Sequence, residues 1–196
     1  APGPANGFTL DMLLCLEKFS DHIDWAMVIL NPLEPWPGGL VLPAADKFDV
    51  KVITRVVDHG GLFHGDVRPG HEFDEGDHRV YRPEGWVEAG NKKIDGMRKM
   101  AERNSVTLLQ FACLWNLDQT AVECVVPTMI QESGEETKTI EAKLDELATL
   151  PDDHSLPAYQ HNYVHDIGNN AGCMDLKGAN PNFDGPEPLP DRWGLQ

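Results

Sequence analysis

Side chains able to do chemistry are densest between His59 and His78, in the stretch HGGLFHGDVRPGHEFDEGDH. His59, His64, His71 and His78, together with Asp66, Asp74 and Asp77, offer imidazole and carboxylate donors of the kind that hold zinc or iron. A catalytic metal needs two or three such groups converging from rigid supports, each imidazole fixed by a partner. The His-x4-His and His-x6-His spacings fit neither one face of a helix nor a zinc finger, so metal binding by this segment stands as an alternative reading. Arg55 is a charge inside an apolar run, costly without a partner, and reads either as an ion-paired structural arginine or as a contact to a cofactor or substrate. Thr128, Gln131 and Lys138, which follow Pro127, read either as ordinary loop and helix-start groups or as phosphate contacts. The three tyrosines, Tyr81, Tyr159 and Tyr163, all fall in loop or tail rather than at a strand end. Cys15, Cys113, Cys124 and Cys173 form no C-x-x-C pair and read as reduced thiols, Cys113 and Cys124 serving as small hydrophobes.

The elements that must position these residues alternate along the chain. TLDMLLCLEKF (9–19) reads as a helix capped by Thr9, and DWAMVIL (24–30) as a strand ended by Asn31 and Pro32. GGLVLPAADKFDV (38–50) reads as a short helix leading into VKVITRVV (50–57), a β-branched strand apolar on both faces. Residues 58–90 lack periodicity and read as a long functional loop with at most a turn of helix. NKKIDGMRKMAER (91–103) sets Ile94, Met97, Met100 and Ala101 on one face of a helix. Thr107 and Gln110 then form a T-x-x-Q capping box before a stripe of Leu108, Phe111, Ala112 and Trp115. AVECVVP gives a third strand (121–126), and TKTIEAKLDELATL (137–150) a helix with Ile140, Leu144 and Leu147 inward, stopped by Pro151. Residues 151–196, rich in proline, glycine and asparagine, read as an irregular tail wrapping the domain. AYQHNYVHDI is its one helical prospect and Trp193 its terminal anchor.

Strands made almost wholly of apolar residues predict cover on both faces, which with intervening helices means a parallel sheet with right-handed crossovers. The proline and polar run after the third strand mark its carboxyl end, where α/β folds place ligands. Size and charge bound the rest. At 196 residues the chain suits one domain with a core. A formal charge of −16, from 16 basic and 32 acidic residues, sets it against nucleic acid and anionic membrane surfaces. No apolar run approaches the roughly 20 residues of a membrane span, and no secretion signal opens the chain, so a cytoplasmic protein is expected. The opening APGPANG, without methionine, is expected of a fragment or a processed chain.

The order IDWAMVILNPLEPW, then LPAADKFDVKVITRVVDHGGLFHGDVRPGHEF, then WVEAGNKKIDGMRKMAERNSVTLLQFACLWNLDQTAVECVVPTMIQE resembles the second half of an aldo-keto reductase. The resemblance spans roughly residues 5–150. It implies an α/β fold of the parallel (β/α) TIM-barrel type, the strands being like the sixth to eighth of a (β/α)8 barrel, with residues 1–150 as a partial barrel domain. It further implies an NAD(P)-dependent carbonyl or alcohol oxidoreductase that takes NADP or NAD and a small carbonyl substrate, of which this chain is the carboxyl-terminal part. Arg55 then lies where the family has the residue beside the nicotinamide, with Val56 and Val57 continuing that wall. Pro127, Thr128, Met129 and Gln131 open the loop that takes the adenosine phosphate end, and Lys143 stands in the place of an adenine-contacting asparagine. The resemblance also makes residues 58–90 a mobile loop near the cofactor. Met27 replaces a glutamine that bonds the nicotinamide amide, and the loop after Pro127 is longer than in the family. The family's catalytic Asp, Tyr, Lys and His belong to earlier strands, so no catalytic residue is assigned here. A companion chain or a second copy is expected to cover the exposed strand edges. The alternative is a non-catalytic half-barrel used for binding or assembly.

Overall fold

The computed structural model describes residues 5–35, 38–134, 137–152 and 155–169. In chain order the elements are α1 (Ala5–Phe19), β1 (Trp25–Ile29), α2 (Leu42–Lys47), β2 (Lys51–Arg55), α3 (Trp86–Arg103), α4 (Leu108–Leu117), β3 (Val122–Val126), α5 (Ile140–Ala148) and α6 (Ala158–Asn169). The three strands form the expected parallel sheet in the order β1-β2-β3. Met27 pairs with Ile53 and Ile29 with Arg55, while Arg55 pairs with Val126 after a register shift between Val52 and Ile53.

Cover on both faces is corrected by the structure. The pleat sends Ala26, Val28, Val52 and Val122 into the core, whereas Trp25, Met27, Lys51, Arg55 and Val126 are exposed on the described molecule. Apolar residue type alone does not say which face a layer covers. Behind the closed face, α2 packs on β2 and α4 on β3, with α1 against α2, α3 and α5 against α4, and α6 against α3. Two glycines permit close approaches. A Cβ on Gly38 would collide with the Ile29 carbonyl, and one on Gly168 with that of Pro32, so α6 lies tight against the turn after β1.

Several boundaries move. α1 begins at Ala5, which places Thr9 inside the helix rather than at its cap. α3 begins at Trp86 behind Gly85 (φ 76°), five residues before the expected start, because Trp86, Val87 and Gly90 extend the buried stripe of Ile94 and Met97. α4 is buried almost all round rather than along one stripe, Cys113, Leu114 and Asn116 included. In α5 the inward residue is Lys143, fully buried, while Leu144 is 52% exposed. The segment AYQHNYVHDI is helical, as α6, with Val164 buried. Residues 170–196, Trp193 among them, lie outside the described residues.

The capping box is present in full. Thr107 Oγ1 accepts the Gln110 N–H at 3.1 Å and Gln110 Oε1 accepts the Thr107 N–H at 3.0 Å. Gln110 Nε2 also donates to the Glu146 carbonyl (2.7 Å) and to Thr149 Oγ1 (3.0 Å), so one side chain joins the start of α4 to the end of α5. Thr107→Ala is therefore expected to cost about 1 kcal/mol, the usual loss of a cap. Gln110→Leu, which orphans partners on both helices, should cost about twice that. Urea unfolding midpoints of the two variants check the ranking.

Candidate functional site

The carboxyl ends of the three strands open onto one rim, and buried polar side chains decide its shape. After β1, Asn31 is fully buried. Its Nδ2 donates to the Val56 carbonyl (3.0 Å), and its Oδ1 accepts the Leu33 N–H (3.0 Å) and the His59 Nδ1–H (3.1 Å). The acceptor oxygen thereby assigns the His59 tautomer. After β2 the chain turns sharply: Val56 holds φ 60° and His59 φ 49°. A β-branched residue in the left-handed region is strained and persists only where its surroundings hold it, here through the Asn31 bond to its carbonyl.

The loop after β3 (127–139) is fastened from beneath by the segment after β2. Asp58, fully buried, accepts the Gly61 N–H on Oδ2 (2.8 Å) and the Thr128 N–H on Oδ1 (2.7 Å). His64 Nε2 donates to the Thr128 carbonyl at 2.9 Å. Asp66 accepts the Lys138 N–H (3.1 Å) and pairs with the buried Lys143 ammonium (2.6 Å), which also donates to the Ile130 carbonyl (2.6 Å). Arg79, 2% exposed, forks onto Glu132 (2.6 and 2.9 Å), grips Asp77 and donates to the Gly60 carbonyl (2.9 Å). Burial alone would lower the Arg79 pKa, but the hydrogen bonds to Glu132 and Asp77 outweigh it. The same guanidinium pulls Asp77 down to about 2.

The residues singled out from sequence separate into two groups. Arg55, Thr128 and Gln131 are exposed, and Val56, Pro127 and Met129 half-buried, along the rim. Val57 is core, and Lys143 is locked beneath the loop. Gln131 Oε1 accepts the Ile140 N–H (3.1 Å) and its Nε2 donates to the Lys138 carbonyl (3.3 Å), so it braces the approach to α5. Lys138 pairs with Glu146 at 2.7 Å. The long loop expected over 58–90 is buried at its start, Asp58 through His64. Among the described residues no three His, Cys, Asp or Glu come together as a metal-holding group. Cys113 is buried with its thiol pushed up to about 12 by burial, first, and then by Asp58 and Glu146, which suits an inert small hydrophobe. Sequence reasoning passed over Asn31, Glu34, Asp58 and Glu132. Asn31 carried a signal, since it directly ends an apolar strand.

Glu34 adds a titration to the rim. It lies 3.8 Å from His59 Nδ1, and burial pushes its carboxyl up to about 7 against the pull of Arg82, Asn31 and Arg55. His59 is pushed well below the ordinary imidazole value by burial, with Arg82 and Lys93 adding to it. For Glu34 the folded value is raised, so its contribution is fully present below the unfolded value of 4.5 and is lost as pH rises through about 7. The wild type is expected to lose on the order of 3 kcal/mol through this group across that window. Glu34→Gln should flatten that part of a stability-versus-pH curve measured by denaturant melts.

No family model and no curated protein matches the chain. Among solved structures it is similar to a glycerol dehydrogenase from Gluconobacter oxydans, with a TM-score of 0.63 and 18% identity over 84% of this chain and 54% of that one. It is also similar to an aldo-keto reductase from Bacillus halodurans, at a TM-score of 0.52 for the holo form and 0.53 for the apo form, each at 14% identity over 85% of this chain. That match covers 49% and 50% of the two structures, so the chain spans about half the length of the proteins it resembles. The described residues therefore have an α/β fold with parallel strands, shared with aldo-keto reductases and of the (β/α) barrel kind.

Proposed function

We propose that this chain is the carboxyl-terminal part of an NAD(P)-dependent carbonyl or alcohol oxidoreductase of the aldo-keto type, contributing the second half of a (β/α)8 barrel and part of its cofactor site. The observation that carries the reading is the strand-end geometry. Arg55 ends β2 exposed, paired in register with Val126 at the end of β3, and the chain then runs directly into the exposed Thr128. One cation and one open loop thus sit side by side at the carboxyl ends of parallel strands, where α/β folds bind ligands.

The residues present fit a dinucleotide in part. Arg55, Val56, Pro127, Thr128, Met129 and Gln131 are the accessible rim and would hold it, Arg55 supplying the one positive charge among them. Val57 and Lys143 would act from behind, Val57 as core beneath the rim and Lys143 by gripping the Ile130 carbonyl. A bound nicotinamide would give or take the hydride in exchange with a small carbonyl or alcohol substrate. The chain's own share is to bind and orient, because the proton donor of the family belongs to strands that precede these. The formal charge of −16 works against an anionic ligand, so binding by this part alone should be weak. The exposed face of Trp25, Met27 and Val126, residues of the two outer strands, would be closed by a companion polypeptide or by a second copy.

The test titrates NADPH and NADH into the 196-residue chain and reads energy transfer from tryptophan to the nicotinamide, Trp25 being exposed on the open face. Weak saturable binding is expected, reduced several-fold by Arg55→Gln. Carbonyl reduction, followed by nicotinamide absorbance, should appear only when a polypeptide bearing the remaining strands is added. Turnover by the chain alone, or no dinucleotide binding even in the reconstituted protein, would overturn the proposal.

A further inference from the structure

We infer that Asp58 and His64 are positioning residues that set the main chain of the loop after β3 for ligand binding; this rests on the dinucleotide reading above. Thr128 is the first residue of that loop whose side chain is exposed, yet neither of its main-chain polar groups faces water as a free group. Its N–H goes to Asp58 Oδ1 at 2.7 Å and its carbonyl receives the His64 Nε2–H at 2.9 Å. The two anchors lie 70 and 64 residues away in sequence, so the loop has no means of finding this geometry by itself. Asp58 also ties down the Gly61 N–H, which joins the sharp turn after Val56 to the loop start through a single carboxylate. Further along, Lys143 takes the Ile130 carbonyl and Arg79 takes the Glu132 carboxylate, again from beneath. Every anchor approaches from the buried side, and the Thr128 side chain is left facing outward.

A loop held this way presents its outward groups in one arrangement, which lowers the ordering cost that a flexible ligand would otherwise meet on binding. Asp58 and His64 touch no ligand in this account. Their effect passes through the position of Thr128 and its neighbours.

Two variants separate positioning from bulk stability. Asp58→Asn keeps the shape of the side chain but turns one of its two acceptors into a donor. His64→Gln keeps an N–H able to reach the Thr128 carbonyl, and His64→Leu does not. In Asp58→Asn, amide exchange at Thr128 measured by NMR is expected to accelerate about tenfold, the size expected for one lost hydrogen bond. The amides of Val52 to Thr54 should exchange as before. Dinucleotide affinity, read by the tryptophan transfer signal, should weaken by about the same factor. His64→Gln should behave as the wild type and His64→Leu as Asp58→Asn. Unchanged exchange at Thr128 in both Asp58→Asn and His64→Leu would overturn the inference, as would faster exchange with unchanged affinity. Should Asp58→Asn fail to fold, the His64 pair decides alone. A wild type that binds no dinucleotide even when reconstituted with the remaining strands sinks the cofactor reading and the ligand half of this inference together, and the exchange data still show whether the clamp exists.

Discussion

A single buried carboxylate joins the two loops on which the rim depends. Asp58 has no exposure to solvent, and the desolvation cost of a lone charge there would be prohibitive without partners. Two main-chain N–H groups, from Gly61 and Thr128, satisfy it at 2.8 and 2.7 Å. The same requirement governs Asp66 with Lys143 and Glu132 with Arg79, each pair closing a long stretch of chain. Such pairs add little net stability over apolar packing, but losing one member strands the other, at a cost of about 3–5 kcal/mol. Their effect is to permit one arrangement of the loops and to penalise the rest. The loops of the rim are therefore tied to the core at several points.

The sheet shows the opposite economy. One face is covered by α2 and α4, and the other carries Trp25 and Met27, each 46% exposed, beside the cations Lys51 and Arg55. Lys51 sits over the Trp25 ring at 5.4 Å, an arrangement that shields some apolar surface without removing it. Among the described residues β1 and β3 are the outer strands of the sheet, and aromatic and thioether groups lie exposed on it.

What could be read from sequence followed the physics of each signal. β-branched runs and capping chemistry are local, so the three strands, their parallel order and the Thr107–Gln110 box were all legible before any coordinates. Boundaries set by tertiary burial were not: Gly85 and Gly90 look like breakers, yet α3 starts at Trp86 because Trp86 and Val87 have a core to enter. Periodicity placed Leu144 inward, and the structure buries Lys143 instead, since an ammonium with Asp66 and the Ile130 carbonyl as partners can enter the core there. The stretch from His59 to His78 hid its contacts for the same reason. Histidines, aspartates and arginines read as a functional loop or a metal site until their mutual pairing is known, and pairing across 53 to 72 residues leaves no local trace.

The strain at Val56 belongs to the same framework. A valine at φ 60° costs on the order of 1–3 kcal/mol, and glycine or asparagine would hold that conformation more easily. The structure maintains it through the Asn31 amide, itself pinned by Leu33 and His59. The turn carries the chain from Arg55, exposed on the open face, to Val57 and Asp58, both buried, within three residues. A relaxed extended residue at 56 would carry the strand straight on and take Asp58 away from the Thr128 N–H. The strained turn is thus the geometric condition for the carboxylate clamp, which fixes the start of the loop that the β2–β3 pairing sets beside Arg55.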